Sequence, residues 1–573
     1  MPVHAAEAPA GATPGRIPLG PCLRRGGRIT GHEARSETDP TLATRSPEAS
    51  ARRASTLILV LGPLAYGLLS LTLGQDANWD LRNYHWYAGF ALLAGRHGFD
   101  MVPSQTPSFY NPLLDAPLYL VAATLPAPVA MGLWSLLHAL NFVLVFLLAR
   151  ELLRIDDPRR RTWAAGAVAA VGVLGAGGIS LLGTTFHDNL VSLGPLAGLL
   201  VVARARRTLF EGPLARAAMV AALAGLPAGA AMGLKQPAVI WCIGICFAFF
   251  VAGGGFRRRF LLSLCCGLGI LAGIAATNGW WMWHLWQTYG NPLHPYFNHV
   301  FRSPDAAISD YRDLHNLAMS PTLMDRLLLP FRWTANPNLV GEIPLPGETP
   351  WRDLRIPVLY VLAPLAALAG LVRGGTRPAE RHLLGMMALA FATWAAMFGI
   401  YRYLAPLEFL APLGICVALA WLPLGAGIRA ALAGVLLLAV QATTVPGTWG
   451  RVPWSDRLVE VEVPPIADPA RTMVLMAGYQ PLSFAIPAFP PGIPFVRIQS
   501  NFIHPDSWDN GYIHKLRARV AAHRGDFYAL STVPDTDLAE EAVAAYGLRL
   551  DRASCRLVRS NLNEDLNLCA LHH

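Results

Sequence analysis

The densest concentration of reactive side chains is the run Gln75-Asp76-Ala77-Asn78-Trp79-Asp80-Leu81-Arg82-Asn83-Tyr84-His85-Trp86-Tyr87. Two carboxylates four residues apart, a histidine and several aromatics follow directly on an apolar stretch, Ser55 to Gly74, that is long enough to cross a bilayer. A carboxylate held at a water–membrane boundary can take a proton from a hydroxyl, and partial burial would raise its pKa. A plainer role is also open. Asp80 could simply cap an amphipathic helix from Leu81 to Leu93, with the aromatics as interfacial anchors.

Other polar residues stand out against apolar surroundings. The turn Gly183-Thr184-Thr185-Phe186-His187-Asp188-Asn189 carries a histidine beside an acid, and Asp188 is well placed to cap the helix that follows. His187 and Asp188 with Asp80 could also hold a divalent cation, and these carboxylates would suit Mg²⁺ or Mn²⁺. Lys235 is one of two lysines among 46 basic residues, which makes it unusual; it is either a snorkelling side chain or a chosen one. In Tyr401-Arg402-Tyr403-Leu404-Ala405-Pro406-Leu407-Glu408, an arginine sits six residues, roughly 9 Å of helical rise, from an acid. That pairing implies a polar cavity or a structural salt bridge, and Arg402 could also neutralise a phosphate leaving group. His294, in Tyr289-Gly290-Asn291-Pro292-Leu293-His294-Pro295-Tyr296, is a further candidate substrate contact within a segment whose Gly and Pro mainly specify a turn.

The elements that must position these residues are membrane helices. The chain is 53% hydrophobic and 14% charged, and apolar blocks recur near 55–74, 127–150, 163–183, 188–203, 214–233, 236–252, 260–283, 354–372, 382–400, 404–422 and 428–446. Eleven blocks predict about eleven spanning helices. The net charge of +9 would suggest nucleic acid in a soluble protein, but its placement follows the membrane instead. With the basic tail 1–53 inside, alternate connections collect Arg150, Arg154, Arg159, Arg160 and Arg161, then Arg204, Arg206 and Arg207, then Arg257, Arg258 and Arg259, then Arg373, Arg377 and Arg381. Residues 1–53, rich in Ala, Pro, Gly and Arg, read as disordered. The long loops 75–126 and 284–353 and the region 447–573 then fall outside, and so do Asp80, Asp188, Lys235 and Arg402.

The C-terminal region 447–573 alternates short β-type runs, Met473 to Ala477, Phe495 to Gln499 and Phe527 to Ser531, with helical stretches near 511–523 and 536–545. It reads as a small α/β domain in which Cys555 and Cys569 could form a disulfide. The absence of CxxC, HExxH, P-loop and Rossmann patterns argues against a redox centre, a structural zinc site and direct nucleotide hydrolysis.

Asp80, Tyr84 at plus four, Gly95 at plus fifteen, Tyr110-Asn111-Pro112-Leu113 and Pro117-Leu118-Tyr119 together resemble the first outer loop of the C-type glycosyltransferase superfamily. The resemblance covers roughly residues 55–445 and implies a mainly α, polytopic fold of the C-type glycosyltransferase kind (GT-C-like), with membrane-parallel helices in its long outer loops. In that family an Asp soon after the first helix is the catalytic group. Spacing favours Asp80, with Asp76 as a helper or metal ligand, and the choice between them stays open here. The resemblance also assigns Asp188 to acceptor or metal contacts, Lys235 to the donor phosphate, and residues 289–298 to a matching turn segment. It implies inverting transfer of a sugar from a polyprenyl-phosphate donor to a lipid, glycan or protein acceptor on the periplasmic face of a bacterial inner membrane. In that reading Lys235 and Arg402 hold the phosphate, while Trp79, Tyr84, His85, His187, Asp188, Glu408 and His294 meet sugar or acceptor. A transporter or flippase is the rival class, and a non-catalytic scaffold a third.

Overall fold

The computed structural model describes residues 47–309, 311, 315–341, 351–504 and 510–573. The tail up to residue 46, with Cys22, and residues 342–350 of the second long loop lie outside the described residues. Residues 47–53, expected with the disordered tail, instead form the first turns of the helix Pro47–Leu69, with Glu48 in the first turn, where an acid is favourable.

Each of the eleven apolar blocks is helical. Six helical stretches are long and apolar enough to cross a membrane: Glu48–Thr72, Ala127–Leu152, Leu214–Leu234, Phe256–Tyr289, Arg355–Arg373 and Tyr401–Trp421. Gln236–Ala252 and Ala426–Ala442 are apolar but shorter. The blocks near 163–183 and 188–203 are interrupted, at Leu174–Gly175 and at Ser192, and Pro378–Met397 carries Glu380 and Arg381 in its first turn. The chain is therefore a multi-pass, mainly helical membrane protein. The apolar side chains left exposed, such as Leu57, Val60 and Leu61 on the first helix and Leu365, Leu368 and Val372 on Arg355–Arg373, mark faces suited to lipid contact.

Small residues set the closest helix contact. Gly225, Gly229 and Gly233 recur every fourth residue on Leu214–Leu234 and meet Cys266, Ile270 and Thr277 of Phe256–Tyr289, whose own Gly269 and Gly273 meet Ala222 and Leu226. A Cβ at Gly229 would lie 2.0 Å from the Ile270 carbonyl oxygen. The backbones touch, which is how membrane helices gain packing without a hydrophobic driving force.

The C-terminal region carries a seven-stranded sheet. Its order is Val461–Glu462, Arg556–Ser560, Leu566–His572, Asp526–Thr532, Thr472–Met476 and Phe495–Arg497, with Arg549–Leu550 also pairing Leu566–His572. Thr472–Met476 pairs in parallel with both its neighbours and all five of its residues are buried, as a doubly covered strand should be. Helices Gly511–Ala522 and Thr536–Ala544 complete an α/β layer, and Cys555 is joined to Cys569 by a disulfide.

This sheet is knitted to the first long loop. Gln75 and Val452 exchange backbone hydrogen bonds of 2.8 and 2.9 Å, and Met101 bridges Phe495 and Arg497 on the edge strand. The buried ion pair Arg96–Asp100 extends the seam: Arg96 donates to the carbonyls of Pro491 and Ile493, and Asp100 accepts from the Phe495 N–H. Leu81, Trp86 and Leu118 of the loop share one apolar core with Val474, Phe484 and Leu568 of the sheet region. The sheet thus braces the loop that carries Asp80.

Candidate active site

The segment after the first membrane helix enters a π-helical turn, Leu81–His85, and continues as the α-helix Trp86–Leu93. The Asn78 carboxamide, not Asp80, caps it, accepting from the Leu81 N–H at 2.8 Å; Asp80 makes no side-chain cap. The wider turn buries Leu81, Asn83, Tyr84 and His85 together and leaves the Asp80 carboxylate turned sideways. Trp79 stays 37% exposed beside it.

Asp80, Asp188, Lys235 and Arg402 lie in one line of contacts. The Arg402 guanidinium donates to Asp80 Oδ2 at 3.1 Å and lies 3.6 Å from Asp188 Oδ2. Lys235 Nζ donates to the same Asp188 oxygen at 2.8 Å and to the Phe186 carbonyl. Arg402 also stacks on the Phe186 ring at 4.0 Å, and Tyr84 donates to Asp80 at 3.1 Å. Beside this line is a narrow cleft of about 10 Å³ in which Asp188, Lys235 and Arg402 face an apolar wall of Val191, Trp241 and Pro406.

Local structure explains how each residue arrives. Lys235 ends Leu214–Leu234 in an extended conformation, where Pro237 prevents the helix from continuing. Arg402 lies in the short 3₁₀ turn Tyr401–Leu404 that starts the helix Ala405–Trp421. Asp188 follows His187, whose φ of +65° is left-handed and reverses the chain before the helix Asp188–Val191.

The electrostatics differ from the expectation for Asp80. Burial by itself would raise its carboxyl, but Arg402 first, then His85 and Lys235, outweigh that effect and hold it below the ordinary carboxylate range. Asp80 is an ionised carboxylate, not one poised near neutrality. Burial and the Asp80 charge push Tyr84 well above its usual value, so it remains a neutral donor.

The remaining expected contacts are placed elsewhere. Asp76 is fully buried with both oxygens used: one accepts from the Asn78 backbone and side chain, the other from the Thr185 N–H at 2.8 Å. It pins the loop to the 183–188 turn and does not face the cleft. Glu408 is also buried and accepts from the N–H groups of Gly177 and Gly178 at 3.0 and 2.7 Å and from the Tyr401 hydroxyl. It satisfies the start of the short helix Ala176–Ser180, buried among packed helices where unpaired amides are costly. The His294 ring stacks on Tyr289 at 4.2 Å and abuts Phe109, and neither nitrogen has a partner; burial first, with Lys515 next, pulls its pKa to about 3. It touches none of the four charged residues.

His85 and His187 meet each other and not a metal trio with Asp80 and Asp188. Nδ1 of His85 and Nε2 of His187 each lie 2.7 Å from the same oxygen of Asp115. Among the described residues, His85, Asp115 and His187 are the grouping of potential ligands close enough to hold one ion.

Asp115 belongs to no sequence motif; its one signal is an acid inside the apolar stretch Leu113 to Leu125. The tyrosines Tyr110 and Tyr296, whose hydroxyls are 2.8 Å apart, and Tyr403 also surround the site. Asn111 explains part of the Tyr-Asn-Pro segment: its amide donates to the Gly233 and Thr277 carbonyls, fastening the loop to the end of Leu214–Leu234 and to the body of Phe256–Tyr289.

No protein-family model matches the sequence, and no curated protein matches it either. Among solved structures, the chain is similar to the oligosaccharyltransferase of Archaeoglobus fulgidus in its apo form, at 14% identity and a TM-score of 0.43, over 86% of this chain and 71% of that one. The same enzyme in complex with zinc and sulfate aligns at 15% identity and 0.43, over 85% and 70%. The archaeal oligosaccharyltransferase AglB of that organism, in complex with an inhibitory peptide and a dolichol-phosphate, aligns at 15% identity and 0.42, over 86% and 70%. At such identities, residue roles must be read from this chain's own geometry.

Proposed function

We propose that this protein is a membrane glycosyltransferase of the C-type superfamily, which moves a sugar from a polyprenyl-phosphate donor to a lipid, glycan or protein hydroxyl with inversion. The observation that carries the reading is the meeting of Asp80, Asp188, Lys235 and Arg402 beside an apolar cleft. Two members of that line in direct contact, Asp80 and Arg402, are 322 residues apart in sequence. A base, two cations and an apolar wall are the parts that transfer from a lipid-linked phosphate requires.

Asp80, ionised, accepts the proton of the attacking hydroxyl as its oxygen bonds to the anomeric carbon. The bond from that carbon to the phosphate oxygen breaks on the opposite face, and the electron pair leaves with the polyprenyl phosphate. Lys235 and Arg402 stabilise the charge that develops there, exchanging Asp188 and Asp80 for phosphate oxygens. Tyr84 orients Asp80, and Trp79, exposed beside it, offers a face for a sugar ring. A Mg²⁺ or Mn²⁺ ion between Asp80 and Asp188 would have to displace Arg402 or Lys235, which already balance these carboxylates.

The arginine distribution supports a cytoplasmic N-terminus and a periplasmic site and C-terminal domain in a bacterial inner membrane. The test is transfer from a labelled polyprenyl-phosphate sugar in proteoliposomes, with and without divalent metal, for wild type and Asp80→Asn. Full turnover by folded Asp80→Asn removes the base assignment. Failure of every lipid-linked donor, with solute uptake by intact vesicles, replaces transfer with transport.

A further inference from the structure

Three segments far apart in sequence converge on one buried point. His85 comes from the π-turn of the first loop, Asp115 from the first turn of the helix Asp115–Thr124, and His187 from the turn before Asp188. We infer that His85 Nδ1, His187 Nε2 and an Asp115 oxygen form a binding site for one zinc-class transition-metal ion, which staples the first loop to the 183–188 turn. This site is separate from the four charged residues of the proposed transfer, and its test does not depend on that reading.

Donor chemistry is the first argument. Two imidazoles and one carboxylate are a recurrent ligand set for zinc when a fourth position is left to water, whereas Mg²⁺ favours oxygen-only surroundings. The donor atoms lie within 4.8 Å of one another. Ligands about 2.0–2.1 Å from a tetrahedral ion sit about 3.3 Å apart. Each 2.7 Å contact would lengthen by about 0.6 Å, a shift within reach of side-chain rotation.

Charge is the second. The Asp115 side chain is 4% exposed, and its ion-pair partners among the described residues are these two imidazoles. Lys235 and Arg402 are committed to Asp188 and Asp80. A carboxylate buried this deeply is costly without a cation facing it, and a divalent ion between the rings supplies one.

Unsatisfied polar atoms are the third. His85 Nε2, His187 Nδ1, Trp134 Nε1 and His138 Nε2 are all buried without hydrogen-bond partners. Trp134 lies 5.8 Å from the His187 ring and 6.5 Å from that of His138, so the orphans adjoin the cluster. Water at an ion's open position and beside it would satisfy such a row. The left-handed backbone of His187, a strained conformation for a residue with a Cβ, fits a side chain held by more than its own turn. No zinc motif is visible in sequence because the ligands are 30 and 72 residues apart.

The test uses the full chain in nanodiscs, stripped with chelator, reloaded with Zn²⁺ or Co²⁺ and gel-filtered. Wild type is expected to retain one zinc per chain, to show the visible absorption of low-symmetry cobalt, and to melt at higher temperature with zinc than without. Asp115→Asn and His187→Gln lose all three responses. His85→Cys retains the metal and adds a thiolate-to-cobalt charge-transfer band, a signature no purely structural role produces and one that guards against misfolding of the other variants. Folded wild type that takes up neither ion overturns the inference. So does zinc retained by Asp115→Asn and His187→Gln at wild-type levels, or displacement of zinc by equimolar Mg²⁺ or Mn²⁺. One zinc per chain without any sugar transfer leaves the site standing and removes the functional reading alone.

Discussion

Replacing Arg402 by Gln removes a cation that faces both carboxylates of the site. At 3.1 Å from Asp80 and 3.6 Å from Asp188, the guanidinium gains roughly 5 kcal/mol of gross attraction from each at an effective dielectric constant of about 20. Desolvation offsets much of this, but Arg402→Gln leaves two carboxylates sharing Lys235, and a loss of about 2–4 kcal/mol of stability is expected. Turnover should fall further than folding does, because a charge aimed at the leaving phosphate is worth about 10²–10³ in kcat. Arg402→Lys should recover part of both. The pH dependence has a definite sign. Arg402 is the first partner that pulls Asp80 below its ordinary value, so in Arg402→Gln the Asp80 carboxyl rises and the acid limb of the rate profile moves to higher pH. In unfolding experiments, the depressed folded-state pKa contributes stability that is complete above about pH 4 and is lost as pH falls through the folded value. The wild-type advantage over Arg402→Gln therefore shrinks on acidification. Proteoliposome transfer rates and melting curves on the same samples, taken from about pH 2 to 8 so that the range extends below the ordinary carboxyl value, measure all of this. A folded Arg402→Gln with kcat within threefold of wild type and an unmoved acid limb refutes the reasoning.

Lys235→Ala should raise the donor KM by about ten- to a hundredfold, since it removes a charge-assisted contact of about 1.5–3 kcal/mol; an unchanged KM would place the phosphate elsewhere. Glu408→Gln should lower stability by about 2–4 kcal/mol while turnover per folded molecule stays near wild type, because a carboxamide presents an N–H to one of the two amides that Glu408 now satisfies. Equal loss of turnover in correctly folded protein would return Glu408 to the chemistry. Gly229→Leu should prevent folding, as even a Cβ there meets the Ile270 carbonyl at 2.0 Å, whereas Gly434→Ala has open space and should stabilise by about 0.5–1 kcal/mol; detergent melting curves read both.

Much of the architecture is local and could be read from the chain. All eleven apolar blocks are helical because twenty apolar residues in water-poor surroundings must satisfy their own backbone, and this depends on composition alone. The run Met473 to Ala477 appears as Thr472–Met476 and the stretch 511–523 as Gly511–Ala522, since a short apolar run and an asparagine cap are also local signals. The arginine pattern set Asp80, Asp188, Lys235 and Arg402 on one side, and in the structure they touch.

Which way a single polar side chain turns was decided only by tertiary contacts. Asp76 and Asp80 are equivalent by type and four residues apart, yet the Thr185 amide absorbs one and Arg402 draws out the other, from 109 and 322 residues away. Glu408 is the partner of two backbone amides because the helix interrupted at Leu174–Gly175 restarts against it. The sign of the Asp80 shift reversed for the same reason: burial is visible in an apolar sequence, but the cations that overrule it are not. His85, Asp115 and His187 share no motif, and the sheet's grip on the first loop rests on pairs such as Met101 with Val496. Charge pairing and hydrogen bonding act over a few ångströms of space, a distance to which separation along the chain is no guide.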